Sequence, residues 1–142
     1  MKTLLLVRHA KSSWADPDAD DFDRPLNNRG ERDAPFMGKL VFEKIGKPGL
    51  IYSSTANRAY STACHFATEM GYDIERIIGE KKIYNNGGKA IVKLVSLTDN
   101  SIDVVMAFGH NPDITYLAGF FGNIRIDNMP TCAVACIDFD TD

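Results

Sequence analysis

Cysteine is scarce in this 142-residue chain, and what there is does not pair. Three cysteines with no C-x-x-C spacing form neither a disulfide framework nor a zinc site. Cys132 and Cys136 fall in one apolar stretch that reads as a strand. At ~3.3 Å per residue they would lie about 13 Å apart, beyond the reach of a disulfide. Both are expected as buried packing residues in a reducing compartment, which implies a cytoplasmic address. A basic excess is also missing. Sixteen Lys and Arg against nineteen Asp and Glu leave a net charge of −3, which excludes a general nucleic-acid binder. Long apolar runs are absent too. The stretch from Thr3 to Val7 is too short for a secretory core of roughly 7–15 residues, and no small-residue cleavage site follows it. No run approaches the roughly 20 residues of a membrane span. No repeat, linker or low-complexity segment divides the chain.

The composition that remains is globular. Hydrophobic residues at 44% and charged residues at 25% exclude disorder, and the length suits one domain, 1–142, with a real core. Apolar periodicity outlines its elements. Leu4 to Val7 reads as a strand buried on both faces. Met37, Leu40, Val41 and Ile45 sit at helical spacing, in a helix starting at Asp33 as N-cap or with Pro35 in its first turn. "GLIYSS" is a second strand. "NRAYSTACHFATEMG" is a helix with Ala59, Ala63, Phe66, Ala67 and Met70 on one face and Gly71 as its stop. A third strand is expected around Ile74 to Ile78, then a helix over "GGKAIVKLVSLTDN" begun by Gly87-Gly88. "IDVVMAF" is a fourth strand. "NPDITYLAGFFG" is a short helix with Asn111 as N-cap and Pro112 as its first residue. "TCAVACIDF" closes the chain as a strand apolar on both faces. Strands alternating with helices predict an α/β domain with a largely parallel sheet.

In such a sheet, ligands bind outside the carboxyl ends of the strands, and the polar residues fall there. Arg8 and His9 leave the first strand. Arg58 opens the helix after "LIYSS". His110 lies between "IDVVMAF" and the helix at Asn111. Two arginines and two histidines at three crossings suit a phosphoryl group. Guanidinium forks pair with its oxygens, helix openings add N–H donors, and a neutral imidazole can accept the phosphoryl. Such chemistry needs positioning and charge stabilisation, which these residues supply without metal or cofactor.

These residues carry a resemblance. "LLLVRHAKSSW", "FDRPLNNRG", "SSTANRAYSTA" and "FGHNP" resemble, in order and across nearly the whole chain, the landmarks of the histidine phosphatase superfamily, in its small SixA-like phosphohistidine phosphatase branch. The resemblance implies a three-layer α/β/α sandwich of the phosphoglycerate-mutase-like kind and a phosphatase acting through a phosphohistidine. It implies His9 as the phosphorylated residue, with Arg8, Arg58 and His110 as its catalytic partners. Arg24 of "RPL" is expected to reach the phosphate or substrate, and Asn111 is included among the phosphate-binding residues. The partner implied is a phosphohistidine-bearing protein such as a phosphotransfer domain. The rivals are a small phosphorylated substrate and a binding module that holds phosphate without turnover. No nucleic acid, membrane, metal or cofactor is expected.

Two departures from the family pattern matter. Ala10 stands where many members have glycine, so an ordinary negative φ is expected there. A glutamate general acid, which many members carry after the third strand, has no counterpart. Glu80 comes too early, and Tyr84 or Asn85 occupies the place.

Other features are weighed as follows. The acidic loop "DPDADDFD" is no EF-hand, since Asp21 and Asn27 stand where glycine and glutamate are required. It reads as a solvated loop, or as one beside the phosphate pocket that favours basic partners. His65 is read as structural or exposed, and Trp14 as a pocket wall or a packing residue.

Overall fold

The computed structural model describes residues 1–140, so the last two residues of the expected 1–142 domain lie outside it. One five-stranded sheet runs through it: β1 (Lys2–Arg8), β2 (Leu50–Ser53), β3 (Ile78–Gly79), β4 (Val104–Gly109) and β5 (Val134–Phe139), in the order β3-β2-β4-β1-β5. β1 is parallel to β4, and β2 is parallel to both β4 and β3; β5 alone runs antiparallel, on the outer edge of β1.

Alternation along β1 builds two cores. Leu5 and Val7 face one side, where α1 (Asn28–Ile45) and α2 (Asn57–Glu69) bring Ala34, Val41, Ala63, Phe66 and Ala67. Leu4 and Leu6 face the other, where α3 (Lys81–Ser96) and α4 (Asp113–Gly122) bring Ile83, Ile91, Ile114 and Leu117. The molecule is a three-layer α/β/α sandwich, as expected.

β4 enters late in the chain and inserts between β1 and β2. The chain leaving β1 therefore turns to one face and the chain leaving β4 to the other. The carboxyl ends of β1 and β4 therefore form the switch point of the sheet, the place where ligands bind in such folds.

Several expectations need correction. α1 begins at Asn28, capped by the Asn27 side chain accepting from Gly30 N–H at 2.9 Å, and Pro35 lies inside it rather than near its start. The cap outcompetes Asp33 because Asn27 N–H is itself anchored on Lys11 carbonyl (3.0 Å), which fixes where the helix can start. The third strand shrinks to Ile78–Gly79. Asp73 accepts from Glu75 N–H and turns Ile74–Arg76 into a short 3-10 helix. α3 starts six residues before Gly87, and Asn86 (φ −152°, ψ 63°) kinks it just ahead of the two glycines. Its first turns thus contain "KKIYN", which reads as loop in the sequence. α4 begins at Asp113, leaving Pro112 in the cap position. β5 is an edge strand with Cys136 and Asp138 exposed, not a strand apolar on both faces. Cys136 is therefore not a buried packing residue. Cys132 is buried but precedes β5, at φ 64°. Its N–H donates to both Arg8 and His9 carbonyls (3.1 and 3.0 Å), a contact that ties the turn before β5 to the end of β1. Ala10 does have ordinary backbone: the non-glycine residues with positive φ among the described residues are Asn123 and Cys132.

Candidate active site

Register brings three strand ends level. Arg8 stands opposite Gly109, and Ser53 opposite Phe108. The ladder continues one step further, His9 N–H donating to Gly109 carbonyl (3.1 Å) and Ser54 N–H to Phe108 carbonyl (3.0 Å). His9, Ser54 and His110 therefore leave one edge of the sheet side by side. The two imidazoles lie with centroids 5.2 Å apart. Ser54 Oγ, which accepts from Ala56 N–H at 3.2 Å, stands 2.8 Å from His110 Nε2 and has its own proton free to donate there.

His9 is oriented by its own loop. Nδ1 donates to Ala10 carbonyl at 2.7 Å, which leaves the Nε2 lone pair unprotonated and available. Ala10 N–H in turn donates to Thr62 Oγ (2.9 Å), locking this turn against α2.

Three arginines surround the pair. Arg8 Nη1 donates to Met129 carbonyl (2.9 Å). Arg58, buried in the first turn of α2, donates to the Asp21 carboxylate (2.9 Å) and to the Asp21 carbonyl. Arg24 is equally buried. It donates to Ser12 Oγ (2.7 Å) and, through Nε and Nη2, to the other Asp21 oxygen (3.2 and 3.1 Å), with its guanidinium 3.6 Å from the Trp14 ring centre. Arg8 Nε, Arg58 Nε and His110 Nδ1 are buried without a protein partner. Orphaned donors of this kind are costly, and an oxyanion is the ligand that satisfies several at once.

Burial and the arginines together keep both histidines neutral. Burial lowers His9 to about 4, with Arg58, Arg8 and Arg24 adding to it against the opposing Ala10 hydrogen bond. Burial, then His9 and Arg58, lower His110 to about 3. Burial alone would raise the Asp21 carboxyl, but hydrogen bonds from Tyr84 and Arg58 and the charge of Arg58 hold it at about 2. A free histidine titrates near 6.5, so between that pH and the folded values the unfolded chain binds more protons than the folded one. The histidines' contribution to stability is complete above about pH 6.5 and falls as pH drops towards 4. Thermal melts between pH 7 and 4.5 should show this decline, and a His9→Asn/His110→Asn double variant should show a flatter one. Equal slopes would mean that neither imidazole is held neutral.

The structure thus assembles Arg8, His9, Arg24, Arg58 and His110 around one edge. Asn111 is differently engaged. Its Oδ1 accepts from Thr115 N–H and hydroxyl, and its Nδ2 donates to Asn128 Oδ1 and to the Met129 carbonyl that also receives Arg8. It braces the acceptor of Arg8, with its amide committed to protein partners. Trp14 is exposed and covers Arg24, while His65 pairs with Glu31 between α1 and α2 (2.8 Å). Glu80, also weighed as an acid, caps α3 by accepting from Lys82 N–H. Asp21 and Ser54 are absent from the sequence-based set. One aspartate among five in a polar loop carries no distinguishing signal. Ser54 could have been noticed as the residue leaving β2 beside Arg58. Among the described residues no three His, Cys, Asp or Glu side chains group as metal ligands, and no helix is long and apolar enough to cross a membrane.

A model of the histidine phosphatase superfamily, branch 1, matches residues 4–79, which hold most of β1, Arg8, His9, Arg24, β2 and Arg58. The chain belongs to the histidine phosphatase superfamily. Within that superfamily it is SixA-like. It superposes on SixA of Agrobacterium tumefaciens with a TM-score of 0.85 at 29% identity, over 95% of this chain and 90% of that one. A protein histidine phosphatase SixA complexed with tungstate shares the fold, with a TM-score of 0.84 at 19% identity over 97% and 88% of the two chains. An uncharacterized protein of Mycobacterium tuberculosis is 30% identical over 112 residues, 79% of this chain and 67% of that protein. The chain spans about two thirds of the length of the curated relatives it matches first. The four landmarks and the family match point to the same superfamily.

Proposed function

We infer that this histidine phosphatase removes the phosphoryl group from phosphohistidine on a protein, by way of a phosphohistidine at its own His9. One observation carries the reading: a neutral imidazole, tied through Nδ1 to Ala10 carbonyl, presents Nε2 within a cluster of three arginines. Arg8, Arg58 and His110 hold the phosphoryl oxygens and stabilise the charge that spreads over them as phosphorus becomes five-coordinate. Arg24 adds charge from the rim. In the second step water attacks the phosphorylated His9, whose Nδ1–H stays on Ala10 carbonyl, so the ring leaves as neutral imidazole.

The preference for phosphohistidine follows from the missing acid. An alkyl ester expels an alkoxide, which needs a proton; a phosphoramidate whose ring is protonated expels neutral imidazole and needs none. The carboxylate bonded to these arginines among the described residues is Asp21, which is ionised at about 2 and has no proton to give. General acid help is worth typically 10²–10⁴-fold, and its lack falls on the ester. The reaction belongs in the cytoplasm and in phosphorelay signalling, with a phosphotransfer domain as partner.

Incubation with a phosphohistidine-bearing phosphotransfer domain, p-nitrophenyl phosphate and glycerol phosphate, in EDTA, tests this. Phosphate release should rank in that order, with glycerol phosphate slower than phosphohistidine by about a hundredfold or more. Comparable efficiencies on phosphohistidine and glycerol phosphate would make a small-molecule phosphomonoesterase the better reading. Binding without release would leave a phosphate-binding module.

A further inference from the structure

Tyr84 stands at the rim of the cluster, in the first turns of α3. Its ring meets His110 edge-on at 5.4 Å and Phe22 at 5.1 Å, and the Arg58 guanidinium lies 5.9 Å from its centre. Its hydroxyl donates to Asp21 Oδ2 at 2.7 Å. The direction of that bond is forced. An ionised carboxylate only accepts, so the single phenolic proton is committed to Asp21 and the oxygen can offer a ligand nothing but lone pairs. The bond donated to Asp21 also raises the phenol above its usual range, so it stays protonated and committed. A carboxylate beside two phosphate-binding arginines is otherwise hard to understand, since it opposes the anion they would hold. Asp21 gains a purpose if it sets the polarity of Tyr84.

We propose that Tyr84 is the specificity-determining residue for the leaving group: its oxygen, made a pure acceptor by Asp21, receives the N–H of the substrate ring and so selects a protonated phosphoimidazole over a phosphate ester. This rests on the phosphohistidine reading above. The balance of the first step shows why the N–H matters. His9 Nε2 forms a bond to phosphorus while the substrate P–N bond breaks, and the electron pair of that bond stays on the departing ring nitrogen. If the other ring nitrogen keeps its proton, the product is neutral imidazole and no further proton is required. If that proton is lost, the ring must leave as imidazolate. The protein already uses this device on its own side, where Ala10 carbonyl holds Nδ1–H of His9. Tyr84 supplies the matching acceptor to the ring that departs. A phosphate ester has no such N–H to give this acceptor, and Tyr84 has no proton for its leaving oxygen.

Tyr84→Phe keeps the ring and its edge contacts and removes the acceptor together with the hydrogen bond it donates to Asp21. The readout is the ratio of kcat/KM for a phosphohistidine-bearing phosphotransfer domain to that for p-nitrophenyl phosphate, whose leaving group has no N–H. The ratio should fall by about tenfold or more, the worth of one charge-assisted hydrogen bond. The alkaline limb of the phosphohistidine profile should move to lower pH by about half a unit to one unit, because the ring proton is held less firmly. Asp21→Ala, which frees the phenol to rotate and donate, should lower the same ratio. Equal losses on both substrates with an unmoved limb in Tyr84→Phe would overturn the inference and leave the phosphohistidine reading standing. A wild-type protein that cleaves the aryl ester and ignores phosphohistidine would overturn that reading, and the inference with it.

Discussion

Replacing His9 with alanine should bring phosphate release down to the uncatalysed background while the chain stays folded. The imidazole is the nucleophile of the proposed mechanism, and nothing else in the cluster combines a free lone pair with neutrality. Arginines cannot attack phosphorus, and His110 Nε2 is taken by Ser54. Without His9, water would have to displace the leaving group in a single step, so activity loses the covalent route altogether. The fold loses little. His9 is 7% exposed, but it sits past the end of β1 and contributes one hydrogen bond and one ring contact, worth about 1–2 kcal/mol together. The melting temperature should therefore fall by only about 2–8 °C. Quenching the wild type during turnover of labelled substrate should trap phosphate in a bond that acid breaks and base spares, as expected of a phosphoramidate. The His9→Ala protein should trap none. Label on a serine or cysteine instead would end the assignment.

Arg58→Ala should cost about a hundredfold or more in kcat, the usual loss when one donor to a developing oxyanion is removed, about 2.7 kcal/mol or more. Its side chain is buried, its fork reaches Asp21 with one Nη edge, and its Nε has no partner in the protein. A phosphoryl oxygen that accepts from Nε gains most as its charge rises in the transition state. Arg58→Lys should restore only part of the rate, because an ammonium carries the charge without the planar fork. Saturation kinetics separate the roles: a raised KM with kcat unchanged would make Arg58 a docking residue and nothing more. The substitution also releases Asp21 from its partner, so the carboxyl should titrate above its present value of about 2.

Much of the site is legible along the chain because its residues sit where secondary structure ends. A run such as Leu4–Val7 can only be a buried strand, and a guanidinium and an imidazole directly after it must lie at its carboxyl end. The same holds for His110 after "VVMAFG" and Arg58 after "LIYSS". Asp21 and Tyr84 resisted that logic. One lies in a polar loop with no periodicity, and the other in a segment whose asparagines and glycines argue against helix. They meet across 63 positions of sequence separation, through a hydrogen bond that no local pattern announces.

Helix starts are hard to read in the sequence for a related reason. Propensity places candidates such as Asp33 or Asn111 at a cap, but the winner is decided by which backbone groups the rest of the fold leaves unpaired. Asn27 caps α1 because its own N–H is pinned to Lys11, beside the turn that holds His9.

Alternation and apolar period alone determined the layered α/β order and the edge on which His9, Arg8, Arg58 and His110 fall, because both are consequences of where strands stop. The tertiary structure alone decided the protonation and polarity of the site. Neutral histidines, an ionised Asp21 and a phenol that gives its proton to Asp21 arise from burial and from charges on separate segments, and those distances exist only once the sheet has brought the segments together.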